Sequence, residues 1–311
     1  MDNWVRVYAP ATVANFGPGF DVLGCALEKP GDIVQVCINS ERKVEIVEVT
    51  GNSNIPIDPK KNTASIGANL VIEKLGTKQG VKLKINKQMN IGTGLGSSAA
   101  SAAAAVWGTN LVFGKPFEKK ELLEICLKAE NISDNGWHGD NVFPSLLGGI
   151  VLIKNYEPLE IILLPVPENL IIAVVSPKII IKTEHARKIL PLQIPLKDAI
   201  YNWGNLASLI SSLHVRDIKL IGESINDKII EPIRASLIPE FYKVKQAALD
   251  NGAYGCSISG SGPSIFAITD DNIKAQKIVK AMQDVFLKKN ISSSSFISNI
   301  NTKGAIEINN F

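Results

Sequence analysis

The chain has 311 residues, 45% of them hydrophobic and 20% charged, with a formal net charge of +3. That length suits two domains of ordinary size, or one large one, with a sizeable core, and so small a charge, with no Lys/Arg cluster, gives no argument for a nucleic-acid partner. No apolar run approaches the ~18 residues of a membrane span; the greasiest stretch, Leu159 to Val175, is broken by Pro165, Pro167, Glu168 and Asn169.

Val5 to Val13 reads as a strand. Asp32 to Asn39 and Lys43 to Thr50 alternate as strands do, and are expected to pair through the polar link Ser40-Glu41-Arg42. Asn62-Thr63 marks a helix start, with Ile66, Leu70, Val71 and Leu75 on one greasy face. Val81 to Lys87 alternates again as a strand. A glycine-rich stretch follows, then helices over Ser97 to Phe113 and Phe117 to Glu130, and short strands over Gly148 to Lys154 and Leu159 to Leu164.

Pro165-Val166-Pro167 is the natural boundary, dividing the chain into domains 1–166 and 167–311. Beyond it Leu170 to Val175 is a strand, and helices are expected near 184–190, 196–213, 215–224 and 237–250. Gly255 to Ser259 and Ser264 to Thr269 are strands, followed by a helix at 272–288 and strands near 293–298 and 303–308. Strands and helices mixed without strict βαβ repetition predict an α+β fold.

Cys25, Cys37, Cys126 and Cys256 contain no C-x-x-C pair, so spacing indicates neither zinc nor a redox motif. Scattered cysteines with apolar flanks read as reduced core residues, which fits the cytosol. The sequence does not open on a basic region followed by an apolar one, so no signal peptide is expected.

The stretch Ile91-GTGLGSSAAS-Ala102 has glycine at 92, 94 and 96, then two serines and an alanine run. Glycine takes φ > 0 and lets a ligand approach the backbone, while alanine forms helix from the first turn. A helix start has four N–H groups without internal partners and a positive dipole end. A phosphate fits there, and the hydroxyls of Ser97 and Ser98 add ligands for it or for its Mg²⁺. The alternative is a tight turn before a small-residue helix packed into a core. The pattern is not a Walker loop, because no lysine lies between Gly92 and Ser101, nor a dinucleotide fingerprint, because Ser97 holds the third glycine position. H-R-D and D-F-G, which mark protein kinases, are absent.

G-L-G-S-S-A-A at 94–100 resembles the second motif of the GHMP kinases, named after galactose, homoserine, mevalonate and phosphomevalonate. Pro10-ATVANFGPGF-Asp21 resembles the first motif, and Gly255-CSISGSGPSIFA-Ile268 the third. The three occur in the family's order and span most of the chain. The first motif, His138-GDNVF-Pro144 and Lys182-TEHARKIL-Pro191 are most similar to the homoserine kinase branch. One departure is Asn90, where the family usually has proline; it touches loop rigidity.

The resemblance implies a two-domain architecture, with an N-terminal ribosomal-protein-like α+β domain and a C-terminal ferredoxin-like domain. It implies an ATP-dependent kinase, with ATP on Gly92, Thr93, Gly94, Leu95, Gly96, Ser97, Ser98 and Ala99, and Asn62 near the adenosine. Ser98 and Glu130 match the family's Mg²⁺ ligands; without the family, Glu130 reads as a solvated helix-end charge. The implied acceptor is L-homoserine. Arg187 and Arg234, two of only five arginines, fall where the family clamps its carboxylate, and a guanidinium matches a carboxylate bidentately; the alternative is that Arg187 simply caps the 184–190 helix with its positive charge. Asp21 is placed for the ammonium, with Asn15, His138 and Thr183 as further polar contacts; His138 also reads as a structural histidine near a helix start. Asn141 falls where other branches put a catalytic aspartate, and an amide cannot be a base. Asp140 is adjacent, but adjacent helical side chains diverge, which makes it a weak candidate base.

Two other readings stay open: a related kinase for mevalonate or shikimate, or an inactive ligand-binding regulator. Arg187, Arg234 and Asp21 match both charges of an amino acid, and favour homoserine. No nucleic-acid or membrane partner is implied, and a homodimer is left open.

Overall fold

The computed structural model describes residues 3–51, 55–134 and 138–309. Two sheets carry the chain. The first has seven strands: β1 (Val5–Ala14), β2 (Leu23–Asn39), β3 (Val44–Thr50), β4 (Gly80–Asn86), β5 (Ile150–Tyr156), β6 (Leu159–Leu164) and β11 (Ile306–Glu307). Its main path runs β11-β1-β2-β4-β3, and the opening of β2 pairs with β5, which carries β6. Strands β2 and β3 were expected to form a hairpin; instead β4 lies between them, antiparallel to β2 and parallel to β3. The link at 40–42 has none of the glycine or asparagine that a tight hairpin turn requires, whereas helix α1 (Thr63–Leu75) supplies the crossover that a parallel β3–β4 pair needs.

Helix α1 starts where expected, with the Asn62 side chain accepting from the Ala64 N–H. Helix α2 (Ser97–Val112) lies against β1, β2 and α1, and its alanines from 99 to 105 are all buried. Small residues bring it close: a Cβ on Gly108 would lie 2.6 Å from Val36, and one on Gly67 of α1 2.7 Å from Val106. The helix after the glycine stretch is therefore a packed core helix, and the cavity described below opens at its N-terminus. The expected second helix begins as a 3₁₀ turn at Lys119–Leu122 and continues as α3 (Leu123–Asp134); α4 (Gly139–Leu147) follows.

The second sheet is antiparallel, with β7 (Ile171–Pro177), β8 (Gly255–Ile258), β9 (Ile265–Thr269) and β10 (Ser293–Asn299) in the order β10-β7-β9-β8. Its helices are α5 (Thr183–Lys188), α6 (Leu196–Val215), α7 (Ile218–Glu223), α8 (Glu231–Ala235), α9 (Phe241–Asp250) and α10 (Asn272–Leu287). That strand order, with helical connections β7 to β8 and β9 to β10, is the ferredoxin-like arrangement. Strand alternation buries both faces. Ile171, Ala173, Val175, Ile265 and Ala267 share one core with α9 and α10, while Ile172, Val174, Phe266 and Ile268 join the core of the first sheet. Phe266 stacks on Phe16 from the β1–β2 loop, 5.6 Å between ring centres. The division at 166/167 is kept as a proposal: it separates the two sheets except for β11, which returns to pair with β1.

Candidate active site

The three glycine-rich motifs meet between the sheets. Thr12 N–H donates to the Leu95 carbonyl at 3.1 Å, and Ser264 N–H to the Thr93 carbonyl at 3.0 Å. The Ser259 hydroxyl donates to the Gly94 carbonyl at 2.7 Å, and the Asn15 amide to the Gly260 carbonyl at 3.2 Å. Gly94 and Gly96 have φ of 77° and 65°, the left-handed region. A Cβ on Gly94 would sit 2.4 Å from the Ser259 carbonyl, and one on Gly96 2.2 Å from the Thr12 hydroxyl. Gly96 caps α2 without any side-chain bond to its first turn, so those N–H groups are left to a ligand.

A cavity of about 540 Å³ opens at this junction, and every residue singled out from the sequence lines it. Asn62, the 92–99 loop and Glu130 are brought together with Asn15, Asp21, His138, Asn141, Thr183, Arg187 and Arg234. The contacts then differentiate them. Asn62 spends its amide on structure, accepting from Ala64 N–H and donating to the Pro56 carbonyl at 2.9 Å. The Ser97 hydroxyl turns inward to Asp32, while Ser98 stays exposed.

Asp32 belongs to a polar cluster that the sequence reading missed. Lys87 and Asp32 form a buried ion pair beneath the loop. The Lys87 ammonium also donates to the Ser97 carbonyl at 2.6 Å and the Ser101 hydroxyl at 2.8 Å, and Asp32 accepts from Gln88 and Met89 N–H. Burial pulls the Lys87 pKa down, and Asp32, then Glu130, oppose that pull. The signal was present: Val81, Leu83 and Ile85 face inward, and strand alternation carries Lys87 onto the same row. Glu130, only 3% exposed, lies in the cavity wall with Ser98.

The β1–β2 loop is bent sharply: Asn15, Phe16 and Asp21 all have positive φ, at 66°, 44° and 60°. Such backbone persists only when its surroundings over-determine it. Asp21 N–H donates to the Asn15 side chain at 3.2 Å, and the Tyr156 hydroxyl to the Asp21 carbonyl at 2.8 Å. The Asp21 carboxylate takes both Nη groups of Arg187, each at 2.9 Å. Arg234 is buried and donates to the Gly260 carbonyl at 2.7 Å; burial lowers its pKa to about 10, leaving it charged at neutral pH. Both guanidinium carbons lie near the Phe20 ring, Arg187 at 5.5 Å and Arg234 at 5.1 Å.

Asp140, expected to diverge from Asn141 and so to be a weak candidate base, lies close to it. It lines the cavity beside Asn141, whose amide nitrogen lies 3.5 Å from an Asp140 oxygen. Both residues sit in the first turn of α4, which ends at the cavity, so side chains 100° apart reach the same space. Burial, then the Asp21 charge, pushes the Asp140 pKa up to about 6, against His138, the Asn15 N–H and Arg187. The Asn141 carbonyl oxygen accepts from the Thr12 hydroxyl at 2.8 Å. His138 is the N-cap position of α4 and is buried.

Residues 62–149 match the N-terminal domain of the GHMP kinases, and residues 209–288 their C-terminal domain. The chain is 42% identical to a homoserine kinase of Chlorobium phaeobacteroides, over 97% of this chain and 98% of that one. It is 38% identical to a homoserine kinase of Arabidopsis thaliana, over 96% and 84%. A crystal structure of homoserine kinase from Cytophaga hutchinsonii superposes with a TM-score of 0.96 at 45% identity, covering 99% of this chain and 98% of that one. Fold, glycine loop and family define an ATP-dependent small-molecule phosphotransferase. Within the GHMP kinases, the chain belongs to the homoserine kinase family.

Proposed function

We propose that the chain transfers the γ-phosphoryl group of ATP to the side-chain hydroxyl of L-homoserine, giving O-phospho-L-homoserine and ADP, in the threonine branch of amino-acid synthesis in the cytosol. The observation that carries the acceptor is that Arg187, Arg234 and Asp21 line one cavity with the phosphate loop. Two guanidiniums suit a carboxylate, and Asp21 suits the ammonium.

In this reading the open N–H groups of α2 and the Ser98 hydroxyl receive the phosphates. Ser98 and Glu130 fit Mg²⁺, since a hydroxyl and a buried carboxylate in one cavity are hard oxygen donors and leave other positions to water and phosphate. When bound, the ion neutralises charge on the phosphates. Thr12 and Asp140 hold the two ends of the Asn141 amide, leaving an N–H to orient the acceptor hydroxyl. That oxygen forms the new bond to phosphorus as the bond to the ADP oxygen breaks, and its proton leaves to an oxygen of the transferred phosphoryl group or to water. Positioning is worth about 7–11 kcal/mol, and phosphoryl transfer asks little of a base. His138 and Thr183 complete the polar wall.

The test is ADP release by the purified protein with Mg-ATP and L-homoserine, mevalonate, shikimate, galactose, L-serine or L-threonine. Turnover that needs homoserine supports the proposal. Turnover with another alcohol keeps the phosphate loop and discards the acceptor, and nucleotide binding without any turnover points to a regulator.

A further inference from the structure

The segment between β7 and α5 alternates in burial: Ile180 is 79% exposed, Ile181 6%, and Lys182 is exposed again. Lys182 has extended backbone, φ −71° and ψ 128°. In extended chain, neighbouring side chains point to opposite sides and alternate ones share a side. Ile181 drops into the core with Ile238 and Ile258. Ile180 and Lys182 are left together on the other side, and both line the cavity.

This segment lies against the phosphate loop. The Ile180 Cγ2 is 3.1 Å from where a Cβ on Gly92 would be, and the Ile181 carbonyl oxygen 3.6 Å. Ile91 is also exposed, and Ile55 and Pro56 line the same cavity. Apolar side chains from three segments thus line the cavity that Asn62 also lines. The loop itself has no lysine between Gly92 and Ser101. Of the other cations in the cavity wall, Lys87 is committed to Asp32, Arg187 to Asp21 and Arg234 to the Gly260 carbonyl, while Lys61 directly precedes Asn62 at the start of α1. Lys182 has no ion-pair partner among the described residues.

We propose that residues 180–182 form the second wall of the nucleotide subsite, with Ile180 covering the nucleoside and Lys182 supplying the polyphosphate with the lysine that the 92–99 loop lacks. The inference rests on the ATP reading above. It also places both subsites on one short segment, because Thr183 and Arg187 follow directly in α5.

The test uses a fluorescent ribose-modified ATP analogue with Mg²⁺, titrated into the full chain without any acceptor, and displaced by ATP or by inorganic tripolyphosphate. Both side chains are exposed, so the variants fold. Lys182→Ala should weaken ATP and tripolyphosphate alike by about tenfold, the scale of one charge-assisted hydrogen bond, and Lys182→Arg should restore most of it. Ile180→Ser should weaken ATP by about fivefold through lost apolar cover and leave tripolyphosphate unchanged. Wild-type affinities in both variants overturn the proposal, as does a Lys182→Ala defect confined to the KM of the acceptor. If the wild-type chain itself fails to bind the analogue, the ATP reading falls, and this inference falls with it.

Discussion

Arg187 and Asp21, 166 residues apart, meet fork to fork, with both Nη groups 2.9 Å from the two carboxylate oxygens. The pair joins the bent β1–β2 loop to α5 in the cavity lining. In the proposed reaction the acceptor inserts its own charges here: its carboxylate takes Arg187, and its ammonium takes Asp21. Arg187→Ala should therefore lower kcat/KM for homoserine about a hundredfold, mostly through KM, since truncating one side of a hydrogen-bonded charge pair costs about 2–5 kcal/mol. The KM for ATP should stay within about twofold of wild type. Arg187→Lys should recover little, because a point charge does not reproduce the fork. An unchanged homoserine KM in Arg187→Ala would remove this residue from the acceptor site.

Gly96 and Gly114 separate two costs of glycine replacement. Both have positive φ, 65° and 84°, but a Cβ on Gly114 meets nothing within 4 Å, whereas one on Gly96 meets Thr12 and Asn141. Gly114→Ala should cost only the backbone term, about 1–2 kcal/mol, with full activity. Gly96→Ala should cost more and abolish turnover, because it pushes Asn141 and the loop apart. Denaturant melts and ADP assays on both variants check this; equal activity loss in the two would contradict it.

Most elements were legible from local pattern, and the failures share a cause. Alternation reads 32–39 and 43–50 as strands, but says nothing of which strand lies beside which. The β4 insertion is a long-range choice, decided by the α1 crossover. The glycine loop could be read because its chemistry is contiguous. The Lys87–Asp32 pair, which supports that loop from 55 residues' separation, requires two inward rows to be laid side by side. The nearness of Asp140 to Asn141 was not legible because helical divergence was applied to the first turn of α4, whose N-terminal end lies at the cavity. The positive φ at Asn15, Phe16 and Asp21 goes with one bond inside the turn, Asp21 N–H to Asn15, and two contacts from outside it that no local pattern shows, the Tyr156 hydroxyl and the Phe16–Phe266 stack.

Lys87→Met should destabilise the fold by about 3–5 kcal/mol, because it strands the Asp32 charge in the core. Adding Asp32→Asn should restore part of that loss, and the coupling between the two sites should be well above the ~0.5 kcal/mol expected of independent positions. Urea unfolding of the two single variants and the double variant measures it; additive losses would mean that the buried pair does not act as a unit.

Asp140 has a folded pKa near 6, above the ordinary aspartate value of 3.8. The raised value favours the protonated carboxyl in the folded chain. Its contribution is therefore fully present below about pH 4 and is lost as pH rises through about 6. Asp140→Asn does not titrate, so its stability relative to wild type should climb between pH 4 and pH 7, by up to about 3 kcal/mol for two pKa units. Activity should move the other way. Wild-type kcat/KM should fall as pH drops below about 6, and the weaker activity of Asp140→Asn should lack that limb. A wild-type profile flat from pH 5 to 8 would show that the charge on Asp140 does not matter to catalysis.

Asn141→Asp tests whether the missing base is missed. The substitution sets two carboxylates where an amide nitrogen now lies 3.5 Å from an Asp140 oxygen. Like charges that close cannot both ionise near neutral pH, so one of the pair holds its proton. The new carboxylate can still accept from Thr12, but the N–H that orients the acceptor hydroxyl is gone. The variant should fold, bind nucleotide as the wild type does, and lose about 10- to 100-fold in kcat, with the loss largest at low pH, where the pair is most protonated. A rate gain instead would mean that proton removal limits the reaction, and that alignment by Asn141 is not enough.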